Sequence, residues 1–241
     1  MDPITADLPA RVKTLLGLTL SPGQVDSFAW YARELQAWNE KYNLTAITDP
    51  GQIEVKHFLD SLSCLLVERF RPPARVIDVG TGAGFPGLPL KIMFPGFQLK
   101  LVESIGKKAD FCRHVIAGLS LDGVEVLTGR AEELGQSTDL RASQDWALAR
   151  AVAGLPTLLE YVVPFLKLGG QAILQKGAAG PAEVHESGAA LQLLGAEIEA
   201  VLPVELPRVP ETRYLILVNK CSATPAAYPR RVGVPSRRPL G

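Results

Sequence analysis

The stretch Asp78-Val79-Gly80-Thr81-Gly82-Ala83-Gly84 joins a short apolar run to a helical segment and decides how the rest of the chain is interpreted. The apolar run at 76–79 predicts a buried strand, and 86–93 predicts the helix after the loop. Glycines permit a tight turn and close backbone approach, and a helix start offers free N–H groups. The spacing Gly82-x-Gly84-x-x-Gly87 matches the dinucleotide fingerprint, a weak signal alone. The stretch therefore predicts a nucleotide-binding strand–loop–helix unit.

Short apolar runs and helical segments alternate from residue 75 onward. Helices are predicted at 86–93, 107–119, 155–166 and up to about 194, and Leu168-Gly169-Gly170 is interpreted as the end of the 155–166 helix. This alternation predicts an α/β fold with a Rossmann-like, mostly parallel sheet and helices on both faces. Ligands bind such sheets beyond the carboxyl ends of the central strands. Strands are predicted at 76–79, 99–103, 124–127, 146–149, from 172, at 197–202 and at 214–219.

The first 72 residues predict helices without strands. Ser21-Pro22-Gly23-Gln24 combines an N-cap serine, a proline at the first helical position and a glutamine three residues after the cap. Asp49-Pro50-Gly51-Gln52 repeats this signal. We therefore expect three parts, which are an N-terminal helical cap (1–72), a sheet domain that carries the glycine loop and binds its ligand (73–222), and a basic C-terminal tail (223–241).

Composition excludes several protein classes. No stretch reaches the roughly 18 consecutive apolar residues of a membrane helix. The N-terminus lacks the pattern of a secretory signal. The cysteines, Cys64, Cys112 and Cys221, are odd in number and form no CxxC pair, which argues against a disulfide framework and a zinc site. We therefore expect a cytoplasmic protein that binds no metal and no membrane.

The net charge is zero, but its distribution along the chain is uneven. Residues 207–241 contain seven basic residues and one acidic residue, so the remainder of the chain is net acidic. Basic ends of this kind often contact polyanions. The alternative is a solvated tail that binds nothing.

Two carboxylates narrow the choice of nucleotide. Asp78 lies inside the first predicted strand, where it would repel a pyrophosphate but suit a cationic ligand such as S-adenosylmethionine. Glu103 ends the next strand, roughly twenty residues after the glycines, where a carboxylate accepts both ribose hydroxyls of an adenosine. These positions favour an S-adenosylmethionine site over the alternatives, a dinucleotide site or a structural glycine turn.

Further candidates follow the ends of the predicted strands. Phe85 and Ile105 are placed to sandwich apolar surface of the cofactor, and residues 129–132 to contact an adenine edge. Arg150 directly follows the fourth strand, and we predict that it is the catalytic residue that positions the methionine carboxylate or the methyl acceptor.

The residues after the fourth strand also bear on the acceptor. Ala149-Arg150-Ala151-Val152 is not the Asn/Asp-Pro-Pro-aromatic loop of many exocyclic-amine methyltransferases, and it offers no cysteine nucleophile for attack on a pyrimidine. A ring nitrogen with a free lone pair, such as guanine N7, needs neither a base nor a nucleophile. The sequence is therefore compatible with N7 chemistry.

Several motifs in fixed order resemble the bacterial small-subunit ribosomal RNA methyltransferase G family, also called glucose-inhibited division protein B. The resemblance runs from about residue 38 to the C-terminus. The motifs are Trp38-Asn39-x-x-Tyr42-Asn43-Leu44-Thr45, His57-Phe58-Leu59-Asp60-Ser61-Leu62, the 78–87 glycine stretch, Glu103-Ser104-x-x-Lys107-Lys108, Ala149-Arg150-Ala151, Tyr228-Pro229-Arg230-Arg231 and Pro239-Leu240.

The resemblance implies transfer of a methyl group from S-adenosylmethionine to N7 of one guanine of 16S rRNA, in the loop near the decoding centre. The substrate would be 16S rRNA or an assembling 30S subunit, bound by a monomer. The expected cofactor contacts are Asp78, Gly80, Gly82, Gly84, Phe85, Glu103, Ser104, Ile105, Ala131, Glu132 and Arg150. The expected RNA contacts are His57, Lys107, Lys108, Lys176, Arg230, Arg231, Arg237 and Arg238.

Three rival functions stay open from the sequence. A small-molecule methyltransferase would need a closed pocket and no basic tail. A nicotinamide-dependent oxidoreductase would use the literal GxGxxG and bind NADH. The third is an RNA-binding module that retains cofactor affinity without catalysis.

Overall fold

A computed structural model describes residues 5–241, so the first four residues of the predicted cap lie outside the described part of the chain. Seven strands form one sheet, and helices cover both of its faces. The strands are β1 Ala74–Val79, β2 Phe97–Glu103, β3 Val124–Thr128, β4 Gln144–Arg150, β5 Leu166–Lys176, β6 Ala196–Val204 and β7 Arg213–Lys220. The helices are α1 Leu8–Leu16, α2 Pro22–Tyr42, α3 Pro50–Gln52, α4 Asp60–Leu62, α5 Gly87–Met93, α6 Gly106–Gly118, α7 Ala131–Leu134, α8 Leu155–Val162, α9 Gly180–His185, α10 Gly188–Leu194 and α11 Val234–Arg237.

The strand order places a ligand cleft at the middle of the sheet. The order is β3-β2-β1-β4-β5-β7-β6, and every pair is parallel except those made by β7. The chain winds outward in one direction from β1 to β3 and in the other from β4 to β6. Ligands bind at such a reversal, outside the carboxyl ends of the strands. This architecture confirms the predicted Rossmann-like, mostly parallel sheet.

The N-terminal helices pack against one face of this sheet. A π-helical segment, Ile53–Leu59, joins α3 to α4, so residues 50–62 form a continuous helical stretch. Phe28 of α2 and Phe58 of the π segment lie 5.2 Å apart between ring centroids, in the same apolar cluster as Phe111 of α6. The cap therefore shares its core with the sheet, and the predicted division at residue 72 stays a prediction.

Both predicted helix starts are confirmed. The Ser21 side chain accepts a hydrogen bond from the Gln24 N–H, and the Gln24 side chain accepts one from the Ser21 N–H. Asp49 Oδ1 accepts the N–H of Gln52 at 2.9 Å. Each cap satisfies N–H groups that lack an intrahelical partner.

Two predicted helices end differently. The helix predicted at 155–166 stops at Val162, a 3₁₀ turn covers Val163–Phe165, and Leu168-Gly169-Gly170 lies inside β5 instead of capping a helix. Gly169 is left-handed, with φ 72°, because the β4–β5 register shifts between Gln144 and Trp146. The helix predicted up to about 194 is two helices, α9 and α10. The interpretation of these glycines as a helix end is therefore wrong, and the left-handed Gly169 belongs to a strand irregularity.

The C-terminal residues fold back onto the domain. Arg141 donates hydrogen bonds to the carbonyls of Tyr228 and Thr224, at 2.7 and 2.8 Å. Thr157 of α8 donates to the Pro235 carbonyl, and Leu240 is buried. The last residues therefore pack as part of the domain and not as a solvated tail.

Candidate functional site

The glycine loop after β1 is held in shape by Asp78. Its Oδ2 accepts the hydroxyl of Thr81 at 2.6 Å and the N–H of Gly87 at 2.8 Å. Burial raises the pKa of Asp78 to about 6, against the opposing effect of these two hydrogen bonds. The carboxylate lies beneath the loop and does not line the cavities at this edge of the sheet. Asp78 therefore shapes the loop through Oδ2, while its buried Oδ1 has no hydrogen-bond partner in the described residues, and the cofactor contact predicted for Asp78 stays a prediction.

Two glycines of the loop, Gly80 and Gly84, are needed for different packing reasons. Gly80 has φ 71°, and a Cβ there would lie 2.7 Å from Val152 in the loop after β4. Gly84 has φ 95°, and a Cβ there would meet Leu88 and the Tyr31 hydroxyl at 2.4 and 2.5 Å. Gly80 therefore allows close approach at the cleft, whereas Gly84 lets the cap helix α2 pack against the loop.

Glu103, at the end of β2, has one partner on each carboxylate oxygen. Oε2 accepts the N–H of Gly82 at 2.9 Å, and Oε1 accepts the N–H of Ile105 at 2.7 Å. A carboxylate oxygen has two lone pairs, so each retains one for a further donor. Glu103 therefore lies at the end of β2 with lone pairs available, and the ribose contact predicted for it stays a prediction.

Two cavities meet at Gly80. The wide cavity, of about 440 Å³, extends from the glycine loop toward the cap and the residues before β7, and Gly82, Phe85, Glu103 and Ile105 line it. The narrow cavity, of about 250 Å³, lies on the other side of Gly80. Its lining includes Ser104, Gly129, Arg130, Ala131, Glu132, Val152, Tyr161 and Ser236. Apart from Asp78 and Gly84, the predicted cofactor residues therefore divide between two neighbouring cavities along the carboxyl edge of the sheet.

Arg150, at the end of β4, is held rigidly at the wide cavity. Its Nη1 donates to Asp60 Oδ2 at 2.8 Å and to the Lys56 carbonyl at 3.1 Å, and its guanidinium carbon lies 5.3 Å from the Phe85 ring centroid. Asp60 also pairs with Arg213, at 3.2 Å, and is almost fully buried. Asp60 Oδ1 has no hydrogen-bond partner within residues 5–241.

Three rings form a column beside this arginine. Phe85 stacks between Tyr31 and His57, with centroid distances of 5.3 and 4.5 Å and interplanar angles of 7° and 6°. His57 Nε2 lies 2.9 Å from Thr45 Oγ1, and the buried Nδ1 has no partner in the described part of the chain. Burial, with the nearby Arg150, lowers the pKa of His57 to about 3. A neutral imidazole therefore lines the wide cavity.

The predicted RNA-binding residues fall into two groups. Lys176 is paired with Glu183 at 2.7 Å, and Arg230 is paired with Glu160 at 2.6 Å, so both are already bound within the protein. Lys108 lines the wide cavity, and His57 is stacked there as a neutral ring. The exposed basic residues among them are Lys107, Arg231, Arg237 and Arg238.

Sequence reasoning missed three side chains of the wide cavity. Thr45 and Asp60 lie within the family motifs but had been given no role, although their spacing from His57 was a usable signal. Arg213, at the start of β7, carries no local motif and reaches the site only through the fold.

The part of the chain that the structure describes holds no group of three or more histidine, cysteine, aspartate or glutamate residues able to bind a metal ion. None of its helices combines the length and apolar character needed to cross a membrane.

Comparison with known proteins gives consistent matches. The family model described as rRNA small subunit methyltransferase G matches residues 24–208. The ribosomal RNA small subunit methyltransferase G of Roseiflexus castenholzii is 48% identical over 230 residues, which cover 95% of this chain and 97% of that protein. The protein of the same name from Roseiflexus sp. strain RS-1 is 49% identical over 224 residues, covering 93% and 95%.

Among solved structures, the fold resembles a SAM dependent methyltransferase from Aquifex aeolicus. The TM-score is 0.55 and the identity 17%, over 73% of this chain and 96% of that chain. At this identity the likeness shows the fold alone.

Proposed function

Because this chain belongs to the rRNA small subunit methyltransferase G family, we propose that it transfers a methyl group from S-adenosylmethionine to N7 of one guanine of 16S rRNA, in the loop near the decoding centre. The observation that carries the proposal is the pair of cavities that meet at Gly80. The narrow cavity offers Ser104 and Glu132 to an adenine edge, and the wide cavity combines Glu103, which suits the ribose, with hydrogen-bonding groups around Arg150 that suit a base.

The cavity residues fit the proposed cofactor. Gly80 borders both cavities and adds no side chain to either of them. Glu103 retains one free lone pair on each oxygen for the two ribose hydroxyls. Ser104 and Glu132 line the narrow cavity, where hydroxyl and carboxylate groups suit an adenine edge. When bound, S-adenosylmethionine supplies an electrophilic methyl group on a sulfonium centre.

The wide cavity suits a base that keeps its lone pair. His57 stays neutral at physiological pH because its pKa is about 3, so it neither protonates a ring nitrogen nor repels a cationic cofactor. N7 methylation leaves no proton to remove, so no general base is needed. The residues of the wide cavity would then act by positioning the base and excluding water.

The charges around Arg150 fit a positioning role. Asp60 and two helical carbonyls fix its guanidinium, so Arg150 presents hydrogen-bond donors in one defined place. Methylation at N7 makes the base cationic. The buried carboxylates of Asp60 and Glu103, which line the same cavity, favour that change in charge. We assign Arg150 to the acceptor side because its guanidinium is bound to Asp60 and lies beside the stacked rings of Phe85 and His57.

The proposal extends to partners and location. The protein would act as a monomer in the cytoplasm, on 16S rRNA or an assembling 30S subunit, and it would contact rRNA phosphates through Lys107, Arg231, Arg237 and Arg238. These four side chains are exposed, which supports their availability to a polyanion.

The test is a methyl-transfer assay on 30S subunits, free 16S rRNA and a small-molecule panel, with the modified base mapped. We expect a single N7-methylguanine in 16S rRNA. In Asp60→Asn we expect kcat to fall by roughly 100-fold, because Arg150 loses its anchor, while S-adenosylmethionine affinity changes less than about threefold.

The matched control for that variant is Asp145→Asn. Asp145 also pairs with two cationic side chains, Arg75 and Lys167, but near the opposite ends of the strands. A methylated pyrimidine or exocyclic amine, a methylated small molecule, or binding of NADH in place of S-adenosylmethionine would contradict the proposal.

A further inference from the structure

The narrow cavity is completed by residues from the far end of the chain. Gly80 and Ser104 border it from the loops after β1 and β2, and Glu132 borders it from α7. Tyr161 of α8 also borders it, and Ser236 of α11, near the C-terminus, completes the lining. The C-terminal segment, defined as residues 228–238, therefore contributes directly to the cavity.

An ion pair anchors the beginning of this segment. Glu160 is fully buried, and its two carboxylate oxygens accept hydrogen bonds from Arg230 Nε and Nη2, at 2.9 and 2.6 Å. The main-chain N–H of Arg230 also donates to Glu160, at 2.7 Å. Arg230 Nη2 reaches the Arg238 carbonyl at 2.8 Å, so one guanidinium ties both ends of the segment to α8.

Two further contacts hold the middle of the segment against the cavity. The N–H of Gly233 donates to Glu132 Oε1 at 3.0 Å, and Glu132 is itself a buried residue of the cavity lining. Thr157 Oγ1 donates to the Pro235 carbonyl at 3.1 Å, which fixes the residue before Ser236. The placement of Ser236 and Glu132 thus depends on the same few contacts.

We propose that the C-terminal segment is a wall of the adenine site, and that Glu160 and Arg230 are a positioning pair that sets the affinity for S-adenosylmethionine. This inference rests on the proposed function, because it takes the adenine ring of that cofactor as the occupant of the narrow cavity. The side of the segment that faces the cavity then serves cofactor binding, and this role is independent of what the exposed arginines of the segment contact.

The first test places a bulky side chain at the border of the narrow cavity in the full-length protein. Ser236→Phe adds a ring to an exposed position that borders the cavity, and we expect the calorimetric Kd for S-adenosylmethionine to rise at least about tenfold. The matched control is Val232→Phe, which adds the same ring to an exposed position of the same segment outside the narrow cavity. The control should bind the cofactor as the wild type does.

The second test removes the ion pair between Glu160 and Arg230 that holds the C-terminal segment in place. Arg230→Gln and Glu160→Gln should each raise KM for S-adenosylmethionine by roughly fivefold to tenfold, with kcat at saturating substrates unchanged. The double variant should lose no more than the worse single variant, because the pair acts as a unit. Arg230→Lys, which keeps the charge, should restore part of the affinity.

The outcomes separate this inference from the proposed function. If the wild type binds no S-adenosylmethionine, the proposed function fails. If the wild type binds it, and Ser236→Phe and Arg230→Gln bind it equally well, the wall does not exist and only the inference fails. A fall in kcat with KM unchanged would also overturn it.

Discussion

Gly80 occupies a backbone conformation and a space that only glycine satisfies. Its φ of 71° is left-handed, and Val152 leaves no room for a Cβ. We predict that Gly80→Ala lowers the free energy of unfolding by about 1–3 kcal/mol and weakens S-adenosylmethionine binding at least tenfold. Denaturant unfolding and calorimetric titration measure the two effects.

Gly106→Ala is the matched control, because Gly106 has no positive φ and a Cβ added there would meet no atom within 4 Å. Adding Val152→Ala to Gly80→Ala should recover part of the binding, since it removes the clashing methyl groups. Unaltered cofactor binding in Gly80→Ala would contradict the close approach inferred at this loop.

His57 gives folding a defined pH dependence. Its folded pKa of about 3 lies below the ordinary 6.5, so between these values the unfolded chain binds the proton and the folded protein does not. The contribution of neutral His57 to the free energy of unfolding is therefore fully present above pH 6.5 and is lost as the pH falls toward 3. At pH 5 the loss is about 2 kcal/mol.

The measurement compares urea unfolding of the wild type and of His57→Asn at pH 7 and pH 5. We expect the wild type to lose about 2 kcal/mol more than the variant between these values. Asp78 has the opposite sign, because its raised pKa of about 6 makes its contribution to stability fall as pH rises from about 4 to 6. That contribution is common to both proteins and cancels. Equal pH dependence would mean that His57 is not buried in its neutral form.

Helix α2 carries a prediction at the scale of elements. Ser21→Ala removes one side of the capping box and should cost about 1 kcal/mol of unfolding free energy. Gln24→Ala should cost more, about 2 kcal/mol, because Gln24 also donates to the carbonyls of Ile92 and Met93 at the end of α5. Thermal or urea unfolding tests the order, and an equal loss in both variants would argue that the bridge from α2 to α5 contributes nothing.

The helical stretch at 50–62 shows how an element sets the geometry of a site. Its π-helical segment, Ile53–Leu59, presents the carbonyls of Lys56 and His57 to Arg150, and α4 adds the Asp60 carboxylate one turn later. Single π-helical turns occur frequently at functional sites. The cap is thereby joined to the end of β4 by polar contacts as well as by its apolar core.

At the scale of the whole molecule, the exposed basic residues near the C-terminus predict the salt dependence of RNA binding. Replacing Arg231, Arg237 and Arg238 together by glutamine should weaken binding to 30S subunits and reduce the slope of log K against log salt by about 2. Cofactor affinity should stay within about threefold of the wild type, because these side chains do not line the narrow cavity. Filter binding across a salt series measures the slope.

The control for this triple variant replaces two exposed cations near the opposite ends of the strands, Arg75 and Lys167, by glutamine, and the changes of slope are compared per charge removed. An equal change of slope in the control would show that the C-terminal arginines have no special place in RNA binding. Arg230 is left intact in both proteins, because its ion pair with Glu160 has a structural partner inside the fold.

The sequence by itself located the strands of the sheet and named the candidate cofactor residues at their ends. Apolar periodicity located every strand of the sheet, and the capping pattern located the starts of two helices, because these signals act over a few neighbouring residues. Gly80 and Glu103 could be named as candidate cofactor contacts for the same reason, since Gly80 directly follows β1 and Glu103 is the last residue of β2.

Only the tertiary structure decided which side chains meet. Asp60 and Arg213 are 153 residues apart yet share one ion pair, and Arg230 finds Glu160 across 70 residues. No local pattern encodes such pairings, because they depend on how the strands are ordered and where the last residues pack. For that reason the sequence named Lys176 and Arg230 as RNA contacts without revealing their acidic partners, Glu183 and Glu160. It also gave no sign of the hydrogen bonds by which Asp78 shapes the glycine loop.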